Sequence, residues 1–482
     1  MKIAFLASEA IPYVKTGGLG DVVGSLPHYL TRLGLETSLF LPLYLEVKKK
    51  NLALTPVAEI KASWQGKEVI CPLWEDKSSE FRVFFLQHDG YYSREGIYGT
   101  SSGDHPDNAE RFAFYSLFSL LAMKTLNFKP DIIHAHDWQA ALSLAYLRYN
   151  FKNDPFFEGI KSLFTIHNLA YQGLFPPEVI GRIHLPPDVF RWQEMEFYGQ
   201  VNFLKAGLVY ADAISTVSPT YSREIQQPEF GFGLDGVLRE RSKVLFGLLN
   251  GIDISSWDPE IDPHLPYHFH RQDLSGKKKC KAELLRLFNF SPDSGANALA
   301  GMVSRLADQK GFDLLAASLD ELFSLGLRLV ILGQGDKKYQ DLLLKLQEKR
   351  KDFLGVKIAF DESLAHLIIA GSDLFLIPSR FEPCGLTQMY SLRYGTIPVV
   401  RAVGGLEDTI EEFDPVTMKG NGFKFKEYSV AGLIGAIKRA LAIYEQPALW
   451  SRLIQNAMAT DFSWERAARE YAQLYQRIII SQ

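Results

Sequence analysis

Residues 379–388 read Ser379-Arg380-Phe381-Glu382-Pro383-Cys384-Gly385-Leu386-Thr387-Gln388. The run before them, Asp373-Leu374-Phe375-Leu376-Ile377, is short and apolar, the pattern of a strand buried on both faces. Residues 386–394 contain neither Gly nor Pro, and Gly395 stands where a helix would stop. The stretch is therefore a strand-to-helix turn. In an open parallel sheet such a turn faces the crevice beyond the carboxyl ends of the strands, where ligands bind. Pro383 and Gly385 shape its backbone, and the N–H groups near Leu386 and Thr387 point from a helix start, a seat for phosphate. Glu382 adds a carboxylate just before that seat. Taken alone, the turn also reads as a plain connecting loop with a solvated Glu. The chain around it decides between the two.

Working outward, strands are expected at 299–303, 327–332, 356–360, 374–377, 397–400 and 422–425. The first runs into Ser304-Arg305-Leu306-Ala307-Asp308-Gln309-Lys310-Gly311, which puts Arg305 and Lys310 on one loop at the ligand edge. The N-terminal half repeats the architecture without repeating the sequence, with strands at 2–7, 37–41, 82–86, 132–134, 162–166, 213–217 and 244–248. Helical patterns between strands imply βαβ units and a mostly parallel sheet. After the first strand comes Lys15-Thr16-Gly17-Gly18-Leu19-Gly20-Asp21, then a helical stretch to about residue 33 with Gly34 as its stop. The glycines let the backbone approach a ligand, and Lys15 beside them suits a diphosphate. The loop is neither a P-loop nor a GxGxxG dinucleotide fingerprint. Other strands end in His134-Ala135-His136-Asp137-Trp138-Gln139, His167-Asn168, Ser218 and Asn250-Gly251-Ile252-Asp253. Three His, an Asp and a Trp on one sheet edge indicate a ligand site.

Residues 250–275, with Pro259, Pro263 and Pro266 and no periodicity, read as a linker leading into a second domain. At the C-terminus, Ser463 is placed to cap a helix carrying Trp464, Ala467, Ala468, Tyr471, Leu474, Tyr475 and Ile478 on one apolar face. The expected division is residues 1–249 with helix 463–482, and residues 250–462.

A chain of 482 residues holds roughly two to four domains at about 100–200 residues each. At 47% hydrophobic, 22% charged and a net charge of −4, it lacks the basic bias of a nucleic-acid binder. The lysine clusters 48–50 and 277–281 read as solvated surface. Cys71, Cys280 and Cys384 are too few and too scattered for a disulfide framework or a zinc site, which fits a reducing cytoplasm. Residues 1–7 form a strand-like run rather than a signal peptide, and no apolar run approaches the roughly 20 residues a membrane helix needs.

Two doubly wound Rossmann-like domains with ligand edges facing across a cleft describe the two-domain (GT-B) glycosyltransferases. Six motifs, in order, narrow the resemblance: KTGGLGD at Lys15, HAHDWQ at His134, TIHN at Thr165, NGID at Asn250, SRLADQKG at Ser304 and FEPCGLTQ at Phe381. Over nearly the whole chain it resembles the bacterial glycogen synthases and plant starch synthases. That resemblance implies retaining transfer of glucose from ADP-glucose to the non-reducing end of an α-1,4-glucan, releasing ADP, with no further cofactor and no metal. It implies that Lys15, Gly17, Gly18, Arg305 and Lys310 hold the diphosphate with Gly385, Leu386 and Thr387. Asp137 and His167 would shape the glucose pocket, and Glu382 would contact the sugar. Asp21 and Asn250 resemble donor-site residues, and Tyr98, Trp138 and Asn168 sugar- or acceptor-site residues. Many related transferases place a second Glu eight residues after the first to grip the ribose; here that position is Tyr390, so the ribose contact stays unassigned. No Asp-X-Asp triplet is present, and the cations stand in for its metal. Other readings are a related transferase using UDP-glucose or a smaller acceptor, a dinucleotide-dependent oxidoreductase, which the lack of GxGxxG after the first strand disfavours, and a non-catalytic glucan binder, which would have no use for the cations.

Overall fold

The computed structural model describes residues 1–100, 102–291 and 297–480. It contains two compact units, Met1–Gly251 with Trp464–Gln482, and Ile252–Ser463. The last two residues of the expected C-terminal helix lie outside the described residues.

The first unit is built on a nine-stranded sheet among the described residues. Its strands are β1 (Lys2–Leu6), β2 (Glu36–Pro42), β3 (Leu54–Trp64), β4 (Lys67–Asp76), β5 (Arg82–Leu86), β6 (Ile132–His136), β7 (Lys161–Ile166), β8 (Ala213–Thr216) and β9 (Leu245–Gly247). Their order is β9-β8-β7-β6-β1-β2-β5-β4-β3. From β9 to β5 all pairings are parallel, and β4 and β3 add an antiparallel edge. Ile3 to Leu6 and Leu39 to Leu41 are wholly buried, as expected of strands covered on both faces. Helix α1 (Gly18–Arg32) covers one face with Val22, Val23, Leu26 and Leu30, and ends before Gly34 in the left-handed conformation.

The β3–β4 hairpin was not expected from the sequence. Its turn is Gln65-Gly66, with φ of 50° and 75°, the paired positive values of a type I′ turn. The C-terminal helix, Trp464–Ile480, buries the seven residues named above as its apolar face. It belongs to the first unit, packs on α1, and its Tyr475 hydroxyl lies 2.8 Å from His134 Nδ1.

The second unit carries β10 (Leu299–Val303), β11 (Arg328–Gly333), β12 (Leu354–Ile358), β13 (Leu374–Ile377), β14 (Ile397–Arg401) and β15 (Phe423–Phe425). Their order is β12-β11-β10-β13-β14-β15, all parallel. Residues 252–275 are not a free linker. They pack within this unit through Asp262, which is 1% exposed and accepts hydrogen bonds from His366 Nδ1 at 2.7 Å and the Tyr394 hydroxyl at 2.6 Å. A lack of periodicity gave no sign of that anchoring.

The lysine cluster at 277–281 is likewise not all solvated. Lys277 is buried, and its ammonium donates to Ala370 O at 2.8 Å and Thr396 Oγ1 at 2.5 Å. Lys281 pairs with Asp373 at 2.8 Å. A helix over Ser275–Leu287 packed along the helix Glu362–Gly371 explains this, because one face of a lysine-rich helix must still turn inward.

Candidate active site

Each sheet has one position where neighbouring strands send their connections in opposite directions, the crevice where ligands of such sheets bind. In the first unit it lies between β1 and β6, in the second between β10 and β13. The loops after β1, β6, β10 and β13, which carry most of the sequence-derived candidates, lie at these two points, whereas Asn250 follows the edge strand β9.

In the first unit the loop after β1 is organised by Glu9, which is 3% exposed. Its carboxylate accepts from Thr16 N at 2.5 Å, Thr16 Oγ1 at 2.7 Å, Gly17 N at 3.1 Å and the Tyr98 hydroxyl at 2.5 Å. Ser8 Oγ lies 2.7 Å from the same hydroxyl. Ser8 and Glu9 were missed as site residues, although polar residues directly after a buried strand were the signal used elsewhere on this edge. A Cβ added at Gly17 or Gly18 would meet nothing within 4 Å. Internal packing therefore does not demand glycine there, and the open backbone is free for close approach by a ligand. Lys15 is paired with Asp21 at 2.6 Å, in the open.

After β6, Asp137 takes the left-handed conformation, with φ of 53°, and Oδ1 accepts from His167 N at 2.7 Å. Burial pushes its carboxyl up to about 7, opposed by the backbone N–H groups of His167 and Asn168. A positive φ in a non-glycine residue is a local cost that functional sites retain. His167 is 9% exposed, and burial holds its imidazole down at about 3, so it is neutral at pH 7. Its Nε2 lies 2.9 Å from His136 Nδ1, and His136 Nε2 is buried without a partner.

The three histidines do not act as one group. His134 lies inside β6 and uses both ring nitrogens internally, on Tyr475 and, at 2.6 Å, on Thr165 Oγ1. It is structural, because it lies on the same face as His136 but two residues back from the strand end, with both ring nitrogens already bonded inside the unit. Trp138 is packed among Tyr98, Phe112, Phe175 and Phe203, and a Cβ on Gly173 would sit 2.6 Å from its indole. That is a core position with little ring surface left for a sugar. Asn168 caps its own turn, with Oδ1 accepting from Ala170 N at 3.1 Å. Asn250 is buried, and its Oδ1 accepts no hydrogen bond from the described residues.

In the second unit the loops after β10 and β13 meet through Lys310 and Glu382. The ammonium Nζ lies 2.6 Å from Glu382 Oε2, which also accepts from Ser379 Oγ at 2.9 Å. Glu382 is 6% exposed. Gly311 permits the approach: its φ is 76°, and a Cβ there would lie 2.1 Å from Pro378 O. Gln309 Nε2 donates to Phe381 O at 3.1 Å, and Arg380 N to Gln309 O at 2.8 Å, which ties the two loops together. Arg305 is exposed on the first of them.

Gly385, with φ of 69°, turns the chain into the helix Thr387–Arg393, where Leu386 stands as the N-cap residue. Gln388, given no role in the sequence analysis, donates Nε2 to Cys384 O at 3.0 Å and Gly385 O at 2.9 Å and so fixes the turn. Behind it Gly404 has φ of 45°, and its Cβ would meet Glu382 O at 2.0 Å, while Gly405 N donates to the same oxygen at 3.1 Å. These glycines give no local sign of their partner in sequence. Tyr390 stacks on Trp257, with ring centroids 3.9 Å apart.

Residues 2–240 match the starch synthase catalytic domain, and residues 288–458 the glycosyl transferases group 1 family. The chain is 48% identical over 479 residues to a glycogen synthase of Anaeromyxobacter dehalogenans strain 2CP-C, covering 99% of this chain and 100% of the relative. It is 47% identical over 478 residues to that of Koribacter versatilis, covering 99% and 98%. Its structure is similar to the catalytic domain of starch synthase IV from Arabidopsis thaliana bound to ADP and acarbose, with TM-score 0.89, 33% identity and 99% of each chain covered. Sucrose-phosphate synthase from Thermosynechococcus elongatus, at TM-score 0.60 and 18% identity, shares the fold. No helix among the described residues is long and apolar enough to cross a membrane. With its two switch points, its ordered motifs and relatives matched end to end, this chain belongs to the glycogen synthase family of glycosyltransferases.

Proposed function

We propose that the enzyme transfers glucose from ADP-glucose, with retention, to the non-reducing end of an α-1,4-glucan and releases ADP. The observation that carries this reading is the Lys310–Glu382 pair at the switch point of the second unit, 2.6 Å apart and tied to Ser379. A buried carboxylate can accept from sugar hydroxyls, and a fixed ammonium beside it can hold a phosphate oxygen.

In the chemical step the bond from glucose C1 to the β-phosphate oxygen breaks, and its electron pair leaves with the ADP. The acceptor's O4 bonds to C1 on the face that ADP leaves, and its proton passes to the departing phosphate oxygen. Atoms and charge balance without a second protein base. Charge grows on the diphosphate as the bond breaks, so Arg305, Lys310 and the N–H groups at Leu386 and Thr387 stabilise the transition state more than the bound donor. Neutral His167, the Asp137 loop and the Asn250 oxygen line the sugar side in the first unit, while Glu9 presents Gly17 and Gly18. Trp138 supports this wall from behind rather than stacking on sugar.

The reading is tested by ADP release from ADP-glucose and UDP-glucose, with and without glycogen and with a chelator present. Release from ADP-glucose that depends on glycogen and survives the chelator is expected. Equal use of UDP-glucose, or activity abolished by the chelator and restored by magnesium, would contradict it.

A further inference from the structure

Outside the transferase machinery the second unit brings together His264, Glu362 and His366, each offering one ligand atom, all within 4.8 Å of one another. They are the only such group among the described residues. Glu362 and His366 are four apart on the helix Glu362–Gly371, so both project from one face. His264 arrives from the packed segment before the first helix of the unit, and its ring lies 4.6 Å from that of His366.

The hydrogen bonds leave the ring nitrogens as a metal would require. His366 Nδ1 is bonded to buried Asp262 at 2.7 Å, which fixes the ring orientation, and Trp257 stacks on its face at 3.7 Å. His264 Nδ1 is bonded to Ser363 Oγ at 2.9 Å. Nε2 of each ring is therefore left for a ligand. A carboxylate holding a histidine by its far nitrogen is the usual outer support of a bound transition metal. Two imidazoles and one carboxylate suit zinc rather than magnesium, which takes oxygen ligands in octahedral geometry.

We propose that His264, Glu362 and His366 form a binding site for a divalent transition metal of the zinc class, completed by water. Bonds of about 2.0–2.2 Å would draw the ligand atoms closer than they now stand. His366 is held in place, but His264 is half-buried and Glu362 exposed, so both can rotate to close the set. The ion would clamp the 252–275 segment onto the N-terminal turn of the helix Glu362–Gly371. Trp257, stacked on His366 on one side and Tyr390 on the other, links that clamp to the helix after Glu382. The site is a structural clamp and takes no part in the chemical step, so it is compatible with transfer in the presence of a chelator.

Calorimetric titration of the chelator-stripped, desalted full chain with zinc chloride tests this, with magnesium chloride as control. About one zinc per chain should bind, with a Tm that rises as zinc is added. His264→Ala and Glu362→Ala should each weaken binding roughly tenfold or more and abolish the Tm rise. Both leave the Asp262–His366 bond in place, so their metal-free Tm and transferase activity should match the parent. No saturable zinc binding, binding unchanged in both variants, or equal binding of magnesium would each overturn the proposal.

Discussion

Glu9 shows what a single side chain contributes here. Its carboxylate satisfies two backbone N–H groups and the Thr16 hydroxyl of the glycine loop, together with the Tyr98 hydroxyl from elsewhere, holding the loop open without filling it. Glu9→Ala leaves those donors unpaired in a buried setting, at a cost of about 1–3 kcal/mol. The expected result is a lower urea midpoint together with a raised KM for the donor, and an unchanged KM would remove Glu9 from the site.

The same wall sets a pH signature. His134, His136 and His167 are pushed down by burial, so the unfolded chain takes up protons below about 6.5 that the folded chain refuses, and stability falls on acidification. Asp137 acts in the opposite sense. Its folded value near 7 lies above the ordinary 3.8, so its contribution is greatest below 3.8 and is lost as pH rises through 7. Asp137→Asn should therefore steepen the loss of stability between pH 7 and pH 5. A loss equal to the parent's would show that the carboxyl ionises normally.

At the scale of elements, the C-terminal helix is the clearest case of sequence dictating structure. Its heptad-like apolar stripe names every buried position among the described residues, and Tyr475 on His134 is a polar anchor. Tyr475→Phe should cost about 1–3 kcal/mol by stranding a buried ring nitrogen, read as a lower Tm with transferase activity retained below it. A Tm equal to the parent's would mean that water replaces the hydroxyl.

The parallel strands were legible for the same reason: buried apolar runs end where polar residues begin, and those ends are the ligand edge. The β3–β4 hairpin was not, because its faces mix apolar and charged residues and only Gln65-Gly66 marks its turn. Residues 252–275 misled because proline-rich, aperiodic chain resembles a linker until Asp262 finds its partners about a hundred residues away, with separations of 104 and 132. The candidate sites divide likewise. Arg305, Lys310, Glu382, Asp137 and His167 stand out as candidates by strand-end position, whereas the bonds that hold such groups in place span separations such as 72 for Lys310–Glu382 and 89 for Glu9–Tyr98. No local pattern encodes those pairings.

Over the whole molecule the labour is divided chemically. The first unit offers neutral imidazoles, which suit a sugar, and an open glycine backbone beside Lys15, which suits a diphosphate; the second offers the Lys310 ammonium fixed on a buried carboxylate, with Arg305 exposed on the same loop. The central claim is that Arg305 and Lys310 act on the leaving group and do not merely hold the donor. Groups that bind donor and transition state equally change KM, whereas groups that act in the transition state change kcat. Steady-state kinetics of Arg305→Ala, Lys310→Ala and the double variant at saturating glycogen separate the two. Each single change should lower kcat roughly 100-fold or more with modest changes in the KM for donor, and the double variant should be less than additive because both cations serve one charge. Intact kcat with only KM raised would contradict it.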